Sequence, residues 1–246
     1  MNYHTTEGET KALENISFDV YEGEFLSILG PSGCGKSTIL SLISGLLPPS
    51  GGEILINGKI VEGPNESVAY MFQHDHLFEW RNIEQNVLLG LEIKRDCTHE
   101  KKAYAISLLK NYGLGNFLRH YPSQLSGGMR QKVALFRTLA VDPEILLLDE
   151  PFSALDYQTR LSVSMEVSDI IRKEEKTAVL VTHDISEAIA LSDRVIILSD
   201  RPSVVAQELY IEFSKEHLTP LEKRQEKEFQ TYFNTIWKEL HNHVNT

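Results

Sequence analysis

A glycine-rich loop at residues 30–37 constrains the fold of this chain more than any other feature. Its sequence is GPSGCGKS, and it lies between an apolar run at Phe25–Leu29 and a helical pattern that follows. Glycines let a backbone wrap around a phosphate, and the N–H groups at a helix N-terminus attract the anion. The spacing of the glycines, the lysine and the serine is that of a phosphate-binding loop between a strand and a helix. We therefore expect strand, loop and helix in that order.

Two further apolar runs end in polar residues in the same way. Residues 145–148 are followed by Asp149 and Glu150, and residues 179–182 are followed by His183. Short apolar runs without alternation suit strands buried on both faces of a parallel sheet. Ligands gather at the carboxyl ends of such strands. The pattern predicts an α/β fold with these polar residues and the glycine-rich loop at one edge of the sheet.

Between these strands the sequence predicts antiparallel strands and then helices. The pair Asn57-Gly58 stands between β-prone segments and indicates a hairpin within residues 53–61. Residues 68–72 predict a strand that ends at Gln73. From about residue 82 to residue 121 the apolar spacing becomes helical, with Thr98 as a suitable N-cap and Gly113 as a suitable stop.

The predicted core ends after Ser199. The polar segment from Arg201 to about Gln225 is expected to form an irregular connection. A final helix is expected beyond it, with one apolar face made of Phe229, Tyr232, Phe233, Ile236, Trp237 and Leu240. Because amphipathic helices usually bury their apolar face in their own domain, we favour that packing over binding of a partner.

Composition and charge narrow the class of protein. The formal net charge of −11 argues against nucleic acid as the main partner, because that binding depends on clustered Lys and Arg. No apolar run approaches the roughly 20 residues that cross a bilayer, and the N-terminus lacks the apolar core of a signal peptide. Two cysteines, Cys34 and Cys97, cannot form a disulfide framework. We expect a cytoplasmic protein that reaches a membrane only through a partner.

A second stretch has the features of an anion site. The sequence SQLSGGMRQ at residues 123–131 places Ser126, Gly127 and Gly128 directly before a helical pattern. Backbone N–H groups at that helix start would suit a phosphate. Taken alone, the stretch is explained equally well by a plain helix cap, so its role depends on the rest of the chain.

Several residues at the strand ends have chemistry that suits a nucleotide. Lys36 would reach the β- and γ-phosphates, and Ser37 and Asp149 would bind Mg²⁺. Glu150 could act as a general base, and His183 could contact the γ-phosphate. A different possibility, a metal site at His74-Asp75-His76, is weak because no fourth ligand lies near it in the sequence.

Together, GPSGCGKS, Gln73, LSGGM, LLLDEPFSALD and His183 resemble an ATP-binding cassette (ABC) ATPase over nearly the whole chain. The resemblance implies an α/β P-loop NTPase core, a mostly parallel sheet flanked by helices, with an antiparallel β subdomain and an inserted helical subdomain. The expected parts are residues 1–82 (core, first part, with the β subdomain), 83–135 (helical subdomain ending in LSGGM), 136–200 (core, second part) and 201–246 (C-terminal extension with the amphipathic helix). The implied cofactors are ATP and Mg²⁺.

The resemblance also implies roles for individual residues. The phosphates and the metal would be bound by the loop and the start of its helix: Gly30, Pro31, Ser32, Gly33, Cys34, Gly35, Lys36, Ser37 and Thr38. Gln73 and Asp149 would join Ser37 at the magnesium, with Glu150 as general base and His183 at the γ-phosphate. From the opposite subunit would come Ser126, Gly127, Gly128 and Asp156. Tyr3 is the aromatic candidate for stacking on adenine, although the family normally has a longer first strand before that aromatic.

Shorter matches resemble the importer branch of the family. FSALD followed by QTR, LSDRP, and FEWR after Gln73 look like the ATPases of nitrate, sulfonate and taurine-type importers, although Glu79 stands where that group usually has proline. The implied partners are a second ATPase subunit facing head to tail, membrane permease subunits and, indirectly, a solute-binding protein, at the inner face of the cell membrane. The alternatives are a soluble ABC ATPase of repair or translation, an exporter subunit, or a nucleotide-sensing module without hydrolysis.

Overall fold

The computed structural model describes residues 1–5 and 8–242, without the side chains of residues 3–5, 8, 9 and 242. The chain divides into two compact units. The first comprises Met1–Asn65 and Glu175–Thr246, and the second comprises Glu66–Glu174. Within the described residues, no helix is both long and apolar enough to cross a membrane.

The described part of the chain contains the following elements. The strands are β1 Asn2–Thr5, β2 Gly8–Lys11, β3 Phe25–Leu29, β4 Leu55–Ile56, β5 Lys59–Ile60, β6 Val68–Met71, β7 Ile145–Asp149, β8 Thr177–Val181, β9 Arg194–Leu198 and β10 Val205–Tyr210. The helices are α1 Lys36–Ile43, α2 Ile83–Val87, α3 Leu89–Ile93, α4 His99–Asn111, α5 Gly127–Leu139, α6 Tyr157–Lys173, α7 Ile185–Leu191, α8 Pro220–Lys223 and α9 Lys227–Asn242.

The core of the first unit is a sheet of buried parallel strands. Strand β3 pairs in parallel with β8 on one side and with β9 on the other, so that Leu26 lies opposite both Val179 and Arg194. Strand β10 pairs with β9 in the antiparallel sense. Every residue of β3, β8 and β9 is buried. This burial on both faces explains why these segments are apolar without alternation.

The first unit also contains two antiparallel strand pairs. Strands β4 and β5 are joined by Asn57 and Gly58, both with positive φ (52° and 74°), as a tight two-residue hairpin requires. The hairpin expected from this pair is confirmed. Strand β1 pairs with β2 from Asn2 opposite Lys11 to Thr5 opposite Gly8.

The second unit is mostly helical around one parallel strand pair. Strand β6 pairs with β7, with Val68 opposite Ile145. Helix α5 packs against β6 and against helices α2, α3, α4 and α6. The predicted cap of α4 is confirmed, because the hydroxyl of Thr98 accepts the Lys101 N–H, and Gly113 ends that region with a φ of 81°.

The segment after Ser199 is more regular than expected. The expectation of an irregular connection to Gln225 is wrong, because β10 and α8 lie within it. Strand β10 is partly exposed along its length, so its residues carry no continuous apolar run that would mark it as a strand.

Helix α9 buries its apolar face within the first unit, as favoured from the sequence. Phe229 and Ile236 are buried in a cluster with Leu29 and Ile197. Trp237 differs from the expected face because it is 49% exposed. It stacks between two other rings of the same helix, those of Phe233 and His241.

A buried arginine in β9 pairs with a glutamate of β10 and with the glutamate that precedes β3. Arg194 is 2% exposed, and its guanidinium donates to both carboxylate oxygens of Glu24 at 2.6 and 2.9 Å and also to Glu208. The rings of Tyr21 and Tyr210 lie 5.3 and 5.7 Å from the guanidinium carbon. The hydrogen bond to Glu24 raises the pKa of Arg194 above its ordinary value, against the opposing effect of burial. The charge is therefore both buried and paired.

Replacing Arg194 with Met should lower the free energy of unfolding by about 3–5 kcal/mol, because Glu24 would keep a buried charge without its partner. Urea unfolding followed by circular dichroism measures the change. The matched control is Lys11→Met, since the Lys11–Glu14 pair is about half exposed and its loss should cost less than about 1 kcal/mol. Equal losses of unfolding free energy in the two variants would contradict the conclusion that the Arg194 charge is buried and paired.

Candidate functional site

The glycine-rich loop joins β3 to α1 in the first unit. It leaves the sheet at Gly30 and enters the helix through Gly35, which has a φ of 111°. A Cβ on Gly35 would lie 2.6 Å from the side chain of Leu13. The left-handed backbone conformation therefore favours glycine here, and a Cβ would also have to displace the end of the Leu13 side chain. The helix that follows begins at Lys36, as expected from the sequence.

Lys36 is held against its own loop. It is 6% exposed, and its Nζ donates to the carbonyl oxygens of Gly30 at 2.8 Å and Pro31 at 2.9 Å. A buried ammonium group with only neutral partners is a strong attraction for an anion. In the first turn of α1, Ser37 is exposed and Thr38 is partly exposed. In the loop before it, Pro31 is partly exposed, and Ser32 and Gly33 are exposed.

Cys34 fills space beneath the loop. It is 2% exposed, and a Cβ on Gly30 would lie 2.7 Å from its sulfur. Burial raises the pKa of the Cys34 thiol, with the nearby Lys36 charge acting in the opposite direction. A buried thiol with a raised pKa is a poor nucleophile, which agrees with the interpretation of Cys34 as a small filler.

His183 follows β8, the strand next to β3. Its position is fixed by its neighbours, because the hydroxyl of Thr182 donates to Glu187 at 2.6 Å and accepts the Asp184 N–H at 3.1 Å. The Asp184 carboxylate then caps α7 by accepting the Glu187 N–H. Since β3 and β8 are parallel neighbours, the first unit places exposed His183 and the glycine-rich loop at the carboxyl ends of adjacent strands.

The second unit holds the two predicted carboxylates at the end of β7. Asp149 is the last residue of the strand and accepts a hydrogen bond from the hydroxyl of Tyr70 at 2.9 Å. Glu150 follows with a φ of 43°, a left-handed conformation that costs a residue other than glycine some free energy. Tyr70 was not identified from the sequence, because nothing near it in the chain indicates its contact with Asp149.

Gln73 is connected to the backbone of Glu150 through Ser153. The Gln73 amide nitrogen donates to the Ser153 hydroxyl at 3.2 Å, and that hydroxyl donates to the Glu150 carbonyl at 3.0 Å. Because the single hydroxyl proton of Ser153 is used on Glu150, Ser153 accepts from Gln73. The second unit therefore brings together Gln73 and Glu150, which lie far apart in the sequence.

The His74-Asp75-His76 stretch has a structural explanation. The Asp75 carboxylate accepts from Arg130 Nε at 3.0 Å and from the Leu77 N–H at 3.1 Å. Arg137 donates to the carbonyl oxygens of Asp75 and His76. In the part of the chain that the structure describes, no group of three or more His, Cys, Asp or Glu residues is placed to hold a metal ion.

The second anion-binding pattern lies at the N-terminus of α5. The Ser126 hydroxyl accepts the Met129 N–H at 3.3 Å and so caps the helix. A Cβ on Gly128 would lie 2.8 Å from Val163, whereas one on Gly127 would lie 3.1 Å from the flexible end of Leu155. Gly128 is therefore required for packing, whereas Gly127 is partly exposed and tolerates a small side chain.

Two remaining candidates lie at other places in the fold. Asp156 is the N-cap of α6, where it accepts the Thr159 N–H at 3.1 Å, and this hydrogen bonding lowers the pKa of its carboxyl. The backbone of Tyr3 lies in β1, and its side chain lies outside the described residues.

Comparison with known proteins shows which protein family this chain resembles. The family model described as ABC transporter matches residues 13–153. The chain is 50% identical over 97% of its length to the uncharacterized ABC transporter ATP-binding protein YtlC of Bacillus subtilis, covering 92% of that protein. It is 40% identical over 93% of its length to the nitrate import ATP-binding protein NrtD of Synechocystis sp., covering 88% of that protein.

A solved structure supports the same assignment. The dimeric structure of a post-hydrolysis state of the ATP-binding cassette MJ0796, bound to ADP and Pi, is 33% identical to this chain with a TM-score of 0.72. The match covers 86% of this chain and 96% of that chain. The α/β fold expected from the sequence is thereby confirmed.

The environment of Cys34 makes a direct prediction about its reactivity. At neutral pH, iodoacetamide should modify partly exposed Cys97 at least about tenfold faster than Cys34, because the thiolate reacts and Cys34 is buried with a raised pKa. Mass spectrometry of the two peptides gives the rates. In denaturant both should react at similar rates, and similar rates in the native protein would contradict the described packing.

Proposed function

The chain belongs to the ABC transporter family, and on this premise we propose that it is the ATP-hydrolysing subunit of an importer for a small solute of the nitrate, sulfonate or taurine type. The observation that carries the importer proposal is the 40% identity, over 93% of the chain, to a nitrate import ATP-binding protein. The cassette ATPase chemistry is that of the family. The finer roles below are proposals for this chain.

The phosphates of ATP are proposed to bind at the glycine-rich loop of the first unit. Lys36 would exchange the carbonyl oxygens of Gly30 and Pro31 for the β- and γ-phosphates. The N–H groups at the start of α1 would add donors that are already directed by the helix. His183, at the end of the neighbouring strand, would contact the γ-phosphate, and Tyr3 is proposed to stack on adenine.

A magnesium ion is proposed to bind Ser37, Gln73 and Asp149. These residues offer a hydroxyl, an amide oxygen and a carboxylate, the hard oxygen donors that Mg²⁺ prefers. The contact with Ser153 turns the Gln73 nitrogen towards that hydroxyl, which leaves the amide oxygen for the metal. The bound ion would neutralise charge on the phosphates. Glu150 would accept the proton of the attacking water.

The second anion-binding pattern supports a dimer. The loop at residues 30–37 lies in one unit, and the helix start at Ser126 lies in the other. We propose that two copies face head to tail, so that Ser126, Gly127 and Gly128 of one copy contact the ATP on the loop of the other, with Asp156 at the interface. Two equivalent sites are then formed by a twofold axis. The solved structure of a related cassette is likewise dimeric.

An exposed aromatic pair supports a permease partner. Phe78 and Trp80 stack with ring centroids 4.7 Å apart, and Trp80 is 74% exposed. This pair follows Gln73 closely in the sequence, so a partner bound there would be linked to the nucleotide residues. We propose that a membrane permease binds residues 73–81 and holds the protein at the inner face of the membrane, with a solute-binding protein acting through the permease and no role for nucleic acid.

Co-purification tests the importer proposal against its alternatives. An affinity-tagged chain should be recovered from solubilised membranes with a permease, and reconstituted vesicles should take up the solute only with ATP on the side of this subunit. Recovery with ribosomes or DNA would favour a repair or translation ATPase, and ATP-driven efflux would favour an exporter.

Replacing Glu150 with Gln should reduce steady-state ATP hydrolysis by about a hundredfold or more, because the amide cannot accept a proton from water. ATP binding should be retained, and an ATP-bound dimer should accumulate in light scattering with size-exclusion chromatography. The control is Glu144→Gln, an exposed glutamate elsewhere in the same unit. Unchanged turnover in Glu150→Gln would remove Glu150 from this role.

Replacing Gly127 with Asp should abolish ATP-driven dimerisation and lower hydrolysis by about a hundredfold, because a carboxylate would face the phosphates of the partner's ATP. ATP binding by the monomer should remain, as measured by calorimetry. Gly127→Ala is the matched control, since Leu155 can move away from a single methyl group. Normal dimerisation of the Asp variant would refute the shared site.

A further inference from the structure

A short turn after β9 contacts the outer side of the glycine-rich loop. The Ser199 N–H donates to the Val204 carbonyl at 3.1 Å, and the Val204 N–H donates to the Ser199 hydroxyl at 3.0 Å. These two bonds close the turn and present Arg201 near its tip. The guanidinium of Arg201 donates to the carbonyl oxygen of Gly33 at 2.5 Å, 168 positions away in the sequence.

The same turn is anchored by a fully buried residue. Ser203 is 0% exposed, and its backbone donates to Ala12 at 3.0 Å and accepts from Glu14 at 2.9 Å. Its hydroxyl donates to the carbonyl oxygen of Cys34. Two successive carbonyl groups of the loop, at Gly33 and Cys34, are therefore held by side chains of one rigid turn.

Holding these carbonyl groups determines where the loop directs its N–H groups. A peptide unit is planar and trans, so its N–H points away from its C=O. Fixing the Cys34 carbonyl turns the N–H of Gly35 to the opposite side. Gly33 and Gly35 both have positive φ and would be costly to order without outside support.

We propose that Arg201 is a positioning residue for nucleotide binding: by holding the Gly33 carbonyl, it keeps the loop in the shape that receives phosphate. It acts through the loop and touches no reacting group. We call the two contacts of this turn with the loop, from Arg201 to Gly33 and from Ser203 to Cys34, the brace. Ser203 is its buried end, and Arg201 is its exposed end. The inference rests on the proposed binding of ATP at residues 30–37.

Arg201→Ala tests the brace in the full chain. The dissociation constant for ATP, measured by calorimetry, should rise about five- to tenfold, because a smaller fraction of the protein holds the binding-competent loop. Amide hydrogen exchange in the peptide that spans residues 30–37 should accelerate in the nucleotide-free protein. The KM for ATP should rise more than kcat falls. Arg201→Lys, which retains a donor and the charge, should recover part of the affinity.

A matched control separates the brace from simple charge. Arg119→Ala removes the same charge from an exposed arginine of the other unit and should leave both ATP affinity and loop exchange unchanged. Equal weakening by Arg119→Ala, or unchanged affinity and exchange in Arg201→Ala, would overturn the inference.

The outcome also distinguishes this inference from the proposed function. If the wild-type protein binds ATP without hydrolysing it and Arg201→Ala still weakens binding, the brace stands and the importer ATPase proposal fails. If the wild-type protein hydrolyses ATP and Arg201→Ala behaves as wild type, only the brace fails. A wild-type protein that does not bind ATP overturns both.

Discussion

The backbone N–H groups at two helix starts are the feature on which the proposed nucleotide site depends. The N–H groups of a helix's first turn have no hydrogen-bond partner within the helix, and they present a partial positive charge at its N-terminus. Across residues 1–5 and 8–242, two helix starts follow glycine or serine, that of α1 after Gly35 and that of α5 after Ser126. Buried parallel strands place the first of them at the carboxyl edge of the sheet, beside His183. Neighbouring side chains leave little room for a Cβ at Gly30 and at Gly128.

Local signals explain why much of the fold was predictable. The bounds of β3 agree with the mainly apolar run in the sequence, because the strand is buried on both faces and its one hydroxyl, that of Ser27, is hydrogen-bonded to Ser192. The Asn57-Gly58 hairpin and the Thr98 cap depend on the conformations of a few neighbouring residues, so the sequence contains all that determines them. The residues at the strand ends followed from the same reasoning, since each one lies at the carboxyl end of a strand or within two residues of it.

Contacts between distant positions explain what was not predictable. Arg194 and Glu24 are separated by 170 positions, and nothing near either residue indicates the pair. The same is true of Tyr70 with Asp149, of Gln73 with Ser153, and of Arg201 with Gly33. Strand β10 was not predicted, because it is formed by backbone pairing with β9 and its own sequence has no continuous apolar run. The local sequence therefore indicates the candidate site residues, whereas the contacts that hold them in place come from the tertiary fold.

Mixing two variants shows whether each nucleotide site is shared by two copies of the chain, as we propose. Lys36→Ala damages the loop and Gly127→Asp damages the helix start, both in the Glu150→Gln background. In a head-to-tail dimer, the mixed pair keeps one site with both parts intact, although neither variant has an intact site with itself. If the sites are shared, light scattering should detect an ATP-dependent dimer only in the mixture of the two variants. A mixture that stays monomeric with ATP, while the Glu150→Gln parent dimerises, would contradict it.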